Sequence, residues 1–92
     1  MTRVGRHLSI EGQVQGVFFR QWTVEQAREL GVAGWVRNCP DGSVEAHLSG
    51  DEQAVAQLIE RMRRGPPGAE VTRLKDDEIA PEPTKGFTIH HG

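Results

Sequence analysis

The apolar residues of this chain recur at two spacings, every second position and every third or fourth. The order in which those spacings follow one another is the strongest constraint on its fold. Alternation sends successive side chains to opposite faces of a strand, whereas a three-to-four spacing gathers them on one side of a helix. In HLSIEGQVQG, residues 7–16, Leu8, Ile10 and Val14 stand among polar neighbours, which predicts a strand ending near Gln13. In FFRQWTVEQARELG, residues 18–31, Phe19, Trp22, Thr23, Ala27 and Leu30 share one helical face, and Gly31 suits a left-handed C-cap. VAGWVRN, residues 32–38, reads as a second strand. CPDG at 39–42 is a turn, with Pro40 presetting φ and Gly42 accepting a positive one. In SVEAHLSG, residues 43–50, Val44, Ala46 and Leu48 alternate with Ser43, Glu45 and His47, so the second and third strands form a hairpin.

DEQAVAQLIERMRRG, residues 51–65, is the clearest helix, with Val55, Leu58, Ile59 and Met62 on one stripe. Asp51 and Glu52 lie at its positive end and Arg61, Arg63 and Arg64 at its negative end. Ser49 with Glu52 predicts a capping box, and GPPG at 65–68 stops the helix. AEVTRLKDDEIAP, residues 69–81, is a weaker strand whose apolar spacing slips between Val71 and Leu74, predicting a bulge or an edge position. PEPTKG (81–86) reads as a loop and FTIHH (87–91) as a short closing strand. The order β-α-β, β-α-β predicts an α+β sandwich of the ferredoxin-like kind. It has an antiparallel sheet, two helices on one face and a short extra C-terminal strand. At 92 residues the chain is long enough for one core and short for two, so 1–92 reads as a single domain.

Composition narrows the function classes. A formal net charge of −2 argues against nucleic acid or an anionic membrane surface as the partner. With one cysteine, Cys39, no disulfide forms within the chain, which fits a reducing cytoplasm. The opening MTRVGRHLSIEG holds no apolar run of signal-peptide length. No stretch approaches the ~20 apolar residues that cross a bilayer. The expectation is a monomer working in the cytoplasm.

The first and second strands, joined by a right-handed helical crossover, run parallel, so their C-terminal ends share one edge of the sheet. Strand 1 delivers the loop 14–20 there, and strand 2 delivers Arg37, Asn38 and Cys39. With one strand between them, the two axes lie roughly 10 Å apart. The loop enters a helix N-terminus, where backbone N–H groups lack internal partners and the helix dipole is positive. Gly16 permits a tight turn and close approach of a ligand. Arg20 adds a planar charged fork suited to phosphate oxygens. The stretch GQVQGVFFR therefore reads as an anion cradle, and it lacks the G-x-x-x-x-G-K-[ST] pattern of a Walker-type loop.

GQVQGVFFR and GWVRNCPDGSVEAHLSG resemble the two signature motifs of the acylphosphatases, and element order and the FTI ending extend the resemblance over nearly the whole chain. The HHG end departs from the basic or aromatic finish of many members. The resemblance implies that Arg20 and Asn38 are catalytic, and that the backbone N–H groups of Gln15, Gly16, Val17, Phe18, Phe19 and Arg20 hold the substrate phosphate. It implies hydrolysis of acyl phosphates to carboxylate and phosphate with no metal and no cofactor. The partner is then a small acyl phosphate, with inorganic phosphate as product and inhibitor. Rivals are a catalytically silent phosphate-binding module and a ferredoxin-like RNA-binding domain. The latter would want aromatic residues on the third strand, which SVEAHL lacks.

Other chemistry-bearing residues have structural readings. Phe18 and Phe19 are expected as core or loop anchors, and Trp22 and Trp35 as buried or half-buried. Thr23 is expected either to bond back within the first helical turn or to support the loop. Cys39 has no partner base. His7, His47, His90 and His91 are spread over separate strands and form no metal site.

Overall fold

β-Hairpin pairing and crossover pairing together order the sheet. The computed structural model describes residues 2–83 and 85–91. Within it the elements are β1 (Arg3–Gln13), α1 (Phe19–Leu30), β2 (Ala33–Asn38), β3 (Val44–Asp51), α2 (Glu52–Arg64), β4 (Glu70–Ile79) and β5 (Phe87–Ile89). The spatial order is β4-β1-β3-β2-β5. β3 is antiparallel to both β1 and β2, so β1 and β2 point the same way and end at one edge of the sheet. This is the ferredoxin-like arrangement the alternating periods predict.

One face of the sheet is covered. Leu8, Ile10, Val36, Val44, Ala46 and Leu48 meet Phe19, Val24 and Ala27 of α1 and Val55, Leu58, Ile59 and Met62 of α2. On α1 the buried stripe runs through Phe19, Thr23, Val24 and Ala27. Trp22 and Leu30, expected on that stripe, are half-buried at its margin.

Four details differ from the sequence reading. β1 begins at Arg3, because Arg3 to His7 pair with Asp51 to His47 of β3 although Val4 is the one apolar side chain among them apart from Gly5. The sheet is mixed: β5 runs parallel to β2, with Gly34, Val36 and Phe87, Ile89 in register. β5 also ends at Ile89, leaving His90 and His91 outside it. The α2 cap is Asp51, whose carboxylate accepts from the Gln53 and Ala54 amides, not Ser49. Ser49 lies within β3 and its hydroxyl accepts from the Glu82 amide instead.

The expected irregularity in β4 is present. Glu11 pairs with Arg73 and Gly12 with Val71, so Thr72 is the extra residue of a bulge on an edge strand. Gly34 shows how closely the central strands approach: a Cβ there would lie 1.8 Å from the His47 carbonyl oxygen.

Candidate active site

Phe18 and Phe19 divide the work of starting α1. Successive helical residues point about 100° apart, and here one phenylalanine turns in and the other out. Phe19 is 1% exposed and its ring meets Trp22 at 5.8 Å between centroids. Burying such a ring stabilises by about 1.5–3 kcal/mol, which ties the helix start to the core. Phe18 is 84% exposed, so its expected role as a core or anchoring residue is corrected.

Phe18 is also the N-cap of α1 and lies in the left-handed region, at φ 59° and ψ 26°. That conformation costs a non-glycine residue about 1–2 kcal/mol. Gly16 has φ 75°, and a Cβ there would meet nothing within 4 Å, so the backbone conformation is what calls for glycine. Val17 between them has an ordinary negative φ. Alternating φ signs turn successive N–H groups into one concavity, the geometry of an anion-binding nest.

The donors of that concavity have no protein acceptors among the described residues. No side chain caps α1, and its first turn holds no acidic residue. Among the described residues, no loop or cap hydrogen bond is donated by a backbone amide from Gln15 to Arg20. Arg20, one residue inside the helix, adds a cation at the positive end, where the dipole disfavours it. Its guanidinium has no hydrogen-bond or ion-pair partner among the described residues.

Asn38 ends β2, paired with Val44 across the hairpin. Its Oδ1 is buried and takes no hydrogen bond from a protein donor. A buried carbonyl left without a donor costs about 1–3 kcal/mol. The turn that follows is held from several sides. The Cys39 amide donates to the Ser43 carbonyl at 2.8 Å, and the Gly42 amide to the Cys39 carbonyl at 3.1 Å. The Asp41 carboxylate accepts from the Ser43 hydroxyl at 2.6 Å and from the Ser43 amide at 2.9 Å. Those bonds, the hydroxyl foremost, hold the Asp41 carboxyl below its ordinary range.

Gln15 joins the two halves. Its Nε2 donates to the carbonyls of Cys39 and Ser43, both at 2.9 Å, stitching the loop after β1 to the turn after Asn38. The sequence reading used only the backbone of Gln15. The available signal was a long amide at a strand end facing a neighbouring turn, and it required the strand order to be known.

The result is one cleft of about 470 Å³ at the shared strand edge. Gln15, Gly16, Phe18, Phe19, Arg20 and Asn38 all line it. Val17 does not; it is half-buried against the core. Val14, Gln21 and Ile89 also line the cleft and were not anticipated.

The remaining reactive side chains lie elsewhere. Cys39 is unpaired and half-buried. On the uncovered face of the sheet His7 stands opposite His47, and Trp35 stacks between His47 and His90 at 5.7 and 4.9 Å. Strand register thus gathers three histidines that the sequence spreads apart. Among the described residues, no group of three or more His, Cys, Asp or Glu is placed to hold a metal ion. On the same face Glu45 accepts from His7 at 2.8 Å and from Arg37. Burial works to raise the Glu45 carboxyl, but the two donors outweigh it and hold it below its ordinary range. No helix of the described residues is long and apolar enough to cross a membrane.

Comparison with known proteins points in one direction. The acylphosphatase family matches residues 6–89. An acylphosphatase of Thermococcus kodakarensis is 51% identical over 89 residues, covering 97% of this chain and 98% of the relative. One from Rhizorhabdus wittichii is 48% identical over 86 residues, covering 94% and 87%. The solved structure of an acylphosphatase from Coxiella burnetii superposes with a TM-score of 0.92 at 35% identity, covering 96% of this chain and 93% of that one.

Proposed function

This chain belongs to the acylphosphatase family, and we propose that it hydrolyses the carboxyl–phosphate anhydride of small acyl phosphates without a metal, by the following division of labour. The phosphoryl group sits on the amides of residues 15–20, at the positive end of α1. Arg20 holds its equatorial oxygens through a charged fork. Asn38, which lines the same cleft, orients the attacking water by hydrogen bonding through its side-chain amide. The water oxygen forms the new bond to phosphorus on one side. The bond from phosphorus to the acyl oxygen breaks on the other, and its electron pair leaves on the carboxylate. The water proton passes to a phosphoryl oxygen.

The leaving group explains what the site can omit. A carboxylate has a conjugate acid of pKa near ~4 and departs without protonation. No general acid is needed, and positioning with charge stabilisation carries the rate. The uncapped amides are arranged by the fold before substrate arrives, so little backbone reorganisation accompanies the reaction. One cysteine in the sequence, and no large exposed hydrophobic side chain other than Phe18 among the described residues, fit a monomer in the reducing cytoplasm.

The reading rests on one observation: among the described residues the amides from Gln15 to Arg20 find no protein acceptor, and residues bearing them line the same cleft as Arg20 and Asn38. Phosphate release from acetyl phosphate and benzoyl phosphate, with and without EDTA, tests it. The expected result is turnover unaffected by EDTA and competitively inhibited by inorganic phosphate. Absence of turnover, or its loss in EDTA, would overturn the reading.

A further inference from the structure

Position 18 carries two unfavourable features at once. Its backbone is left-handed, a conformation that glycine and asparagine adopt more readily than phenylalanine. Its ring is 84% exposed, and among the described residues it is the one large hydrophobic side chain so exposed. Neither feature helps the fold. A glycine at 18 would form the same loop without strain, and a polar residue would sit better in water. Phe18 is one of the residues that line the cleft holding Arg20 and Asn38.

The depth of the lining residues suggests what the ring meets. Val14 and Phe19 are each 1% exposed and form the apolar floor. Phe18 stands at the rim. A phosphoryl group drawn onto the amides lies inside the cleft, and the acyl group bonded to it must extend outward past that rim. An apolar or aromatic acyl group would cover the Phe18 ring and lose water from both surfaces, while a methyl group is too small to do so. Among the described residues no basic side chain other than Arg20 lines the cleft, so none beside Phe18 favours an anionic acyl tail.

We propose that Phe18 is a specificity-determining residue that selects acyl phosphates with aromatic or bulky apolar acyl groups over small or charged ones. This rests on the acyl-phosphate reading above and adds the substrate class to it. The Phe18 amide belongs to the phosphate seat, so a substitution there disturbs every substrate through the loop. The informative quantity is therefore a ratio, in which a disturbance common to all substrates cancels.

The experiment measures kcat/KM for benzoyl phosphate and acetyl phosphate in the full chain and in Phe18→Asn, which suits the left-handed backbone. The expected result is a benzoyl-to-acetyl ratio about 3- to 10-fold lower in the variant, the size of one aromatic contact, with the change in KM. An unchanged ratio would overturn the proposal, even if both activities fell together. The unsubstituted chain supplies a second arm that does not depend on the variant folding. Across acetyl, butyryl, benzoyl and succinyl phosphates, KM should fall with apolar size and rise for the charged tail. A flat series overturns the ring's role while leaving hydrolysis intact. Failure to hydrolyse any of the four overturns the reading beneath it.

Discussion

α1 and α2 begin in opposite ways, and the contrast is what the proposed function turns on. α2 starts as a stable helix should: Asp51 accepts from the Gln53 and Ala54 amides at 3.2 and 3.4 Å, and Glu52 stands in the first turn. α1 breaks each of those rules. Its cap is a strained, exposed phenylalanine, its first turn has no acid, and Arg20 places a cation at the positive end. A side-chain acceptor would have stabilised α1 by about 1 kcal/mol and would have filled the place of an anion. The same backbone groups that α2 satisfies from within are left without a protein acceptor at α1 among the described residues, as the proposed phosphate seat requires.

The largest test of that contrast is Arg20→Gln. It should lower kcat/KM for acetyl phosphate at least about 100- to 1000-fold and weaken inhibition by inorganic phosphate. If phosphate inhibits the variant as before, the guanidinium does not belong to the seat. Asn38→Ala should cost turnover on the same order, about 100- to 1000-fold, while leaving phosphate inhibition close to that of the parent. Near-full activity in that variant would remove Asn38 from water positioning.

Exchanging the character of the two ends sharpens the comparison. Gln21 is exposed on the first turn of α1 and lines the cleft. Gln21→Glu should raise thermal stability slightly through the dipole and weaken phosphate inhibition about 3- to 10-fold by repulsion. Asp51→Ala should do the reverse at α2, lowering Tm by about 4–8 °C for a loss near 1 kcal/mol with kinetics unaltered. Stability and binding moving in the same direction in Gln21→Glu would contradict the division between the ends.

The smallest effect concerns pH. Asp41 holds the turn after Asn38, and its carboxyl sits below the ordinary range because the Ser43 hydroxyl and amide donate to it. Its contribution to stability is therefore present above the ordinary carboxylate range and is lost as pH falls through the lowered value. Asp41→Asn should destabilise the turn near neutrality and flatten that part of the acid profile. An NMR titration in which the Asp41 carboxyl titrates at or above the ordinary value would contradict this.

Much of the molecule was legible in the sequence because its local signals agree. The alternation in SVEAHLSG, the stripe Val55–Leu58–Ile59–Met62 and the CPDG turn each fix an element independently of the others. Gly16 and Arg20 suggested a cradle on local grounds, a glycine suited to a tight turn and a cation where the helix dipole disfavours one. Harder to read were features that depend on a competition or on register. Ser49 and Asp51 both suit a cap, and Asp51 takes it because the helix starts at Glu52, directly after it, while the Ser49 hydroxyl accepts from the Glu82 amide. Two adjacent phenylalanines look alike until the backbone at Phe18 turns left-handed. The reach of Gln15 to the Cys39 and Ser43 carbonyls, and the orphaned Asn38 Oδ1, arise only once the strands are side by side. The parallel pairing of β5 likewise had no local sign, since FTI alternates equally well in either direction.

A titration of the isotopically labelled chain with inorganic phosphate, followed by amide NMR, tests the contrast between the helix ends most directly. The account predicts saturable shifts concentrated at the amides of residues 15–20, with the Gln53 and Ala54 amides of α2 unmoved. Amides 15–20 that stay in place, or shifts of equal size at both helix starts, would contradict it.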